Sequence, residues 1–161
     1  MVNWCCQQCN MITLKVKRCN YKQHNHLSEV LNRIECFEAN KPTREEIESI
    51  KGQVSSYDKE SIYKISNFNQ RKHLIYIYCK LNAKPFLRLT QRDRYIIDRC
   101  FRELRFSLFF KDNHRRNAYN FHLILDVIND KYKLDSDIKP YLYYKTTKNT
   151  PKMYQEILNC I

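Results

Sequence analysis

The sequence predicts an all-α protein: a single compact helical domain over residues 23–161, preceded by a short basic segment, residues 1–22, that carries cysteines. Three observations carry this prediction. Apolar residues recur at helical spacing from residue 27 to the last residue. The 161-residue chain contains one glycine, Gly52, and four prolines, so it lacks the residue that tight β-turns depend on. Helix-start signals, Thr43-Arg44-Glu45-Glu46 and Thr150-Pro151, stand at the head of periodic stretches. The length suits one domain with a real core.

Taken in order, Leu27, Val30, Leu31, Ile34 and Phe37 form the face of a first helix. The capping box at Thr43 and Glu46 opens a second, with Ile47, Ile50 and Val54 as its stripe. A short helix is expected over 59–68. Residues 70–81 read as a buried helix, although the run LIYIYC also suits a strand. Thr90 caps a long helix to about residue 110, with Ile97, Cys100, Phe101, Leu104 and Leu108 on one side. Phe121, Ile124, Leu125, Ile128 and Tyr132 repeat the pattern. Thr150 as N-cap and Pro151 at the first helical position open a last helix with Tyr154, Ile157, Leu158 and Ile161. Cys36, Cys79, Cys100 and Cys160 sit singly in apolar patterns and read as buried thiols.

The net charge of +12 points to a polyanionic partner, above all nucleic acid. At 100° per residue, Arg92, Arg99 and Arg102 fall opposite the apolar stripe of the long helix, together with Tyr95 and Phe106. Guanidinium groups there suit phosphate oxygens, and the rings suit stacking on bases or sugars. Asp93, Asp98 and Glu103 dilute that charge, whereas Arg71-Lys72, Lys111, Arg115 and Arg116 flank it. Lys15, Lys17, Arg18 and Lys22 add a second basic cluster near the amino terminus. Tyr95, Tyr141, Tyr143 and Tyr144 are candidate anchors for a protein interface.

The chain opens WCCQQCN. Cys6 and Cys9, with Cys5 as an alternate, have the spacing that grips one side of a zinc ion, and Cys19 with His24 or His26 would complete four ligands as C-x2-C-x9-C-x4-H if His24 is used. An enzyme finds little support. One glycine excludes Gly-rich phosphate loops, dinucleotide fingerprints and nucleophile elbows. Asp126 and Asp130 read as a solvated face beside Lys131 and Lys133, and His73, His114 and His122 stand apart from any nucleophile. No apolar run reaches membrane length, and no apolar signal region opens the chain, so an intracellular protein without a membrane span is expected.

Several stretches then resemble, in order, the late transcription factor three family of poxviruses and other large nucleocytoplasmic DNA viruses. Residues 21–27, YKQHNHL, lead into a Leu-rich helix as in that family, and Pro42 with the acidic helix after it resembles the next element. Tyr119-Asn120-Phe121-His122-Leu123 resembles the family's later helix start, Asp137-Ile138-Lys139-Pro140-Tyr141 its proline turn, and Tyr154-Gln155-Glu156-Ile157-Leu158 its closing helix. Leu125 stands where the family has a basic residue, and Tyr154 where it has Trp. One Cys-x2-Cys knuckle stands where the family has a two-knuckle ribbon, so WCCQQCN resembles the second of the pair, in a ribbon either rebuilt around Cys19 and a His or truncated with its metal lost. The resemblance implies a non-catalytic activator of late viral genes. It would act on DNA with the viral RNA polymerase and other late transcription factors, inside the host cell in the cytoplasmic viral factory. A zinc site closed by Cys6, Cys9, Cys19 and His24 calls for one zinc per chain, lost on Cys9→Ser; metal analysis of the purified proteins checks this.

Overall fold

The computed structural model describes residues 26–104 and 120–161 in full, and the backbone alone at 4–5, 12–13, 19–25 and 105–111. Among these residues the fold is all-α apart from one antiparallel pair of two-residue strands. In that pair β1 (Trp4–Cys5) faces β2 (Ile12–Thr13), with Trp4 opposite Thr13 and Cys5 opposite Ile12. Eight α-helices follow: α1 (Cys19–Ile34), α2 (Arg44–Gln53), α3 (Lys59–Ile65), α4 (Phe68–Arg71), α5 (Leu74–Leu81), α6 (Gln91–Lys111), α7 (Phe121–Tyr132) and α8 (Thr150–Leu158). A 3-10 turn, Lys139–Tyr141, lies between α7 and α8. The first helix begins at Cys19, so the boundary expected between residues 22 and 23 falls inside a helix.

Two apolar cores hold the domain, and α5 belongs to both. Leu27, Val30 and Ile34 of α1, Ile75 and Cys79 of α5, Ile97, Cys100, Phe101 and Leu104 of α6 and the apolar face of α7 make the larger core, which Ile157 of α8 closes. Ile50 of α2, Ile62 of α3 and Leu74 and Ile77 of α5 make the smaller one. A helix buried on two sides is apolar nearly all round, which is why LIYIYC fitted a strand as well as a helix. Three of the four isolated cysteines, Cys36, Cys79 and Cys100, are buried, and Cys160 is half-buried.

The caps follow the sequence closely. The Thr43 hydroxyl accepts from the Glu46 amide at 3.3 Å, and the Glu46 carboxylate accepts from the Thr43 amide at 2.8 Å. The Thr90 hydroxyl accepts from the Asp93 amide at 3.0 Å. At α8 the order differs: Asn149 occupies the N-cap position, and the Thr150 hydroxyl turns outward from the helix to accept the Thr147 amide at 2.7 Å. Phe37 also departs from its expected place. The first helix stops at Ile34, and the chain turns at Cys36 with φ 58°, which leaves Phe37 exposed.

That turn belongs to a pattern. In the αL caps that glycine usually provides, this chain uses other residues. Cys36 and Phe37 close a Schellman motif onto Arg33 and Asn32, and Ala83 and Lys84 close another onto Lys80 and Cys79. Ala83 has φ 50° and Lys133, the cap of α7, φ 49°. A side chain in this conformation costs about 1 kcal/mol relative to glycine.

Two buried carboxylates tie the helices together. Glu35, 1% exposed, accepts from the Leu89 amide at 2.9 Å and pairs with Arg94. Its own carbonyl accepts from Arg88 at 2.8 Å. Asp93, fully buried, accepts from the Asp135 amide at 2.8 Å, the Ser136 amide at 3.0 Å and the Ser136 hydroxyl at 2.6 Å. Burial penalises the Asp93 charge, but these hydrogen bonds outweigh it and hold its pKa below the usual carboxylate value. Asp93 is therefore a fastener of the fold rather than a surface charge diluting the arginines.

At the start of α7, the His122 Nδ1 lies 3.3 Å from the Tyr143 amide and accepts its hydrogen. Burial, with Lys59 and Arg33 nearby, pushes the imidazole pKa down to about 4. The native state thus holds a neutral ring. Its contribution to stability is complete above the ordinary pKa of 6.5 and is lost as the pH falls through that value toward 4. Between pH 7 and pH 4 the protein is expected to lose about 3 kcal/mol more stability than His122→Asn, whose side chain keeps an acceptor but does not titrate. Urea denaturation at a series of pH values measures the difference. In the same assay Ala83→Gly is expected to stabilise the protein by about 1 kcal/mol.

Candidate nucleic-acid interface

The arginines nominated from the helical wheel do stand on the outer side of α6, but each has an acidic partner. Arg99, 60% exposed at its side chain, meets Glu103 at 3.1 Å; Arg102 pairs with Asp98; and Arg92 pairs with Asp135 in the segment after α7. These partners raise the pKa of Arg99 and Arg102 through hydrogen bonding and charge. The described part of this face is a strip of ion pairs with Tyr95, 68% exposed, among them. Phosphate would have to compete with those carboxylates for the guanidinium groups.

Among the described residues, a group of cations without acidic partners lies elsewhere, on the elements around α5, where they rest on aromatic rings. Tyr76 and Tyr78 flank the apolar side chains of α5, and Phe86 follows in the connection to α6. The Tyr76 and Phe86 rings stack with centroids 5.6 Å apart. Lys80 Nζ lies 5.6 Å from the first ring and 5.4 Å from the second, and Lys41 Nζ lies 5.4 Å from Tyr76. The Lys84 ammonium donates to the Tyr78 hydroxyl at 2.7 Å, which raises the Lys84 pKa. Toward α1, the Arg88 guanidinium covers Phe37 at 4.5 Å. Toward α3 and α4, Arg71 covers Tyr63 at 4.6 Å, Lys145 approaches the same ring at 5.4 Å, and Lys72 lies 4.8 Å from Phe68. Among the described residues, none of Lys41, Arg71, Lys72, Lys80, Lys84, Arg88 and Lys145 has a carboxylate oxygen within 4.0 Å. All seven are exposed.

Lys59 joins the two halves of this band from beneath. It is half-buried, approaches Tyr78 at 5.4 Å and donates to the carbonyls of Pro140 and Leu142. Burial and the neighbouring Lys84 lower its pKa. A lysine held this way organises the 140–142 turn rather than meeting a ligand. The exposed members differ: Lys84, Arg71 and Arg88 each spend one nitrogen on a protein oxygen and keep further donors, and the ring beside each cation offers an apolar surface. This arrangement can take phosphate oxygens and planar bases together.

Other nominated residues fall differently. Tyr141, 8% exposed, donates to the Pro85 carbonyl at 2.8 Å, Tyr144 donates to Asp126 at 2.6 Å, and half-buried Tyr143 packs against Tyr63. Of the four tyrosines proposed as interface anchors, only Tyr95 is exposed, because the segment after the 3-10 turn folds back against α7 and α3. Asp126 and Asp130 are not a solvated face either. Lys139 bridges them, meeting Asp130 at 2.7 Å and Asp126 at 3.7 Å, and Tyr154 donates to Asp130 at 2.7 Å. Burial and that hydrogen bond push the Tyr154 pKa up to about 12.

Cys6, Cys9, Lys15, Lys17, Arg18, Arg115 and Arg116 lie outside the described residues. Cys19, Lys22 and His24 are placed only as backbone positions in α1. A helix through Cys19 and His24 sets positions five apart about 140° from each other around its axis. Helical metal ligands sharing one ion commonly stand three or four apart. Among the described residues no group of three or more His, Cys, Asp or Glu is placed to hold a metal ion, and no helix is long and apolar enough to cross a membrane. No family model, no curated protein and no solved structure matches the chain.

The sequence signal for the band was present but indistinct. Lys80, Lys84, Tyr76, Tyr78 and Phe86 crowd into eleven residues, 76–86. Which of them meet depends on where α5 ends and how the chain turns at Ala83: Lys80 reaches Tyr76 and Phe86, and Lys84 reaches Tyr78.

Proposed function

We propose that the protein is a non-catalytic nucleic-acid-binding factor, and that the aromatic-backed band around α5 is its contact surface. The observation that carries this reading is the separation of charge. Among the described residues, the arginines of α6 have carboxylate partners, while the cations of the band have none within 4.0 Å and rest on rings. A net charge of +12 supports it, because phosphate neutralisation with counterion release is the strongest general use of such an excess. A place in late viral transcription, beside the viral RNA polymerase, rests on the ordered motifs that resemble the late transcription factor three family. Zinc bound through the amino-terminal cysteines belongs to the same proposal.

A second reading is a helical adaptor that docks on the transcription machinery without touching DNA. It is favoured by Phe37, 53% exposed just after the turn that ends α1, and Tyr95, 68% exposed on α6, which are large enough to anchor a protein contact. Pull-down of polymerase subunits after nuclease treatment separates the two, since an adaptor keeps its partners when nucleic acid is removed.

Binding to nucleic acid is expected to weaken steeply with salt, the slope reporting the number of phosphates neutralised. Lys80→Glu with Lys84→Glu should reduce that slope by about two and weaken binding at every sequence tested. Arg99→Gln with Arg102→Gln should change it little, because those guanidinium groups already face carboxylates. Fluorescence anisotropy over a salt series measures all three proteins. A flat salt response of the unaltered protein would remove this reading.

A further inference from the structure

The corner of the band formed by α3 and α4 carries a feature that phosphate binding alone does not explain. Phe68 is 75% exposed, the most open of the exposed large apolar side chains among the described residues. It is not at a loose end of chain. Phe68 is the first residue of the one-turn helix α4, which opens on a capping box: the Asn67 side chain accepts from the Gln70 amide at 2.9 Å, and the Gln70 side chain accepts from the Asn67 amide at 3.0 Å. Beside it, Arg71 is held over Tyr63 by a hydrogen bond from its Nε to the Tyr63 carbonyl at 3.1 Å. Lys72 Nζ lies over the Phe68 ring, 4.8 Å from its centroid, and Lys145 Nζ over the Tyr63 ring at 5.4 Å.

A largely exposed phenyl ring and a guanidinium over a phenol ring, with ammonium groups that have no carboxylate within 4.0 Å among the described residues, match the chemistry of an unpaired nucleotide. The base has a free face to stack, and its phosphates need cations a few ångströms away. An intact duplex has no free base face to offer, so it would use the cations and leave Phe68 in water. We propose that the corner of Phe68, Arg71, Tyr63, Lys72 and Lys145 takes single-stranded nucleic acid, with a base stacked on Phe68. This rests on the nucleic-acid reading above and narrows it to a substrate class.

The test compares a short oligothymidylate with a duplex of equal length by fluorescence anisotropy across a salt series. The proteins are the full chain, Phe68→Ala and Phe68→Trp. The single strand is expected to bind more tightly than the duplex. Phe68→Ala should weaken single-strand binding about tenfold while leaving both the salt slope and duplex binding unchanged, and Phe68→Trp should restore it. Thermal unfolding confirms that the exposed position leaves the fold intact. Equal effects of Phe68→Ala on both nucleic acids, or no effect on either, would overturn the stacking assignment while leaving phosphate binding in place. Unchanged oligonucleotide binding with lost capture of polymerase subunits would instead assign Phe68 to a protein contact and overturn it as well. Absence of salt-dependent binding to either nucleic acid would overturn the broader reading too.

Discussion

The fold depends on two carboxylates that are buried without being isolated. Glu35 at the end of α1 and Asp93 in the first turn of α6 each satisfy backbone amides from distant segments. Between them they pin the connection from α5 to α6 on one side to α1 and on the other to residues 135–136. A buried charge is tolerated only when its lone pairs are used, and removing one partner leaves the other exposed to the full cost of desolvation. The connection is therefore held in one arrangement although it contains no regular structure. Tyr141 adds a further tie through the Pro85 carbonyl. Phe86 and Arg88, which belong to the surface band, are positioned by this same connection.

The band itself follows from the place of α5. A short helix shared between two cores must give Leu74, Ile75, Ile77 and Cys79 to packing. What remains for solvent is Tyr76, Tyr78 and Lys80, with Lys84 just past the end. Tyrosine suits this boundary because its ring packs while its hydroxyl stays wet. Lysines then settle on the rings, and acidic residues within reach are spent elsewhere: Asp58 caps α3, Glu46 caps α2 and Glu60 pairs with Lys64. The uncompensated charge is thus a consequence of how the carboxylates were used as much as of where the lysines stand.

Much of the helical architecture was legible because helix formation is governed by neighbours three and four apart. The stripes of α1, α6 and α7 and the caps at Thr43 and Thr90 all lie within that range. Even two of the α6 ion pairs, Asp98 with Arg102 and Arg99 with Glu103, have the spacing that announces them. What could not be read involved partners far along the chain. Asp93 looked like one more acid on a charged helix until Ser136 and the Asp135 amide came to meet it. Asp126 and Asp130 looked solvated until Lys139 and Tyr154 closed over them. Phe37 fitted the period of α1 but fell beyond the αL turn at Cys36, which no glycine marked.

The sequence by itself determined that this chain forms helices, where most of them begin, and that it carries a large excess of positive charge. Those properties are local or additive, and neither depends on which surfaces meet. Only the tertiary structure decided which charges are free. A guanidinium or an ammonium is neutralised by whatever carboxylate the fold brings within a few ångströms, and Arg92 finds its partner 43 residues away. The same folding left the lysines around α5 resting on aromatic rings, with no carboxylate of the described residues within 4.0 Å of them.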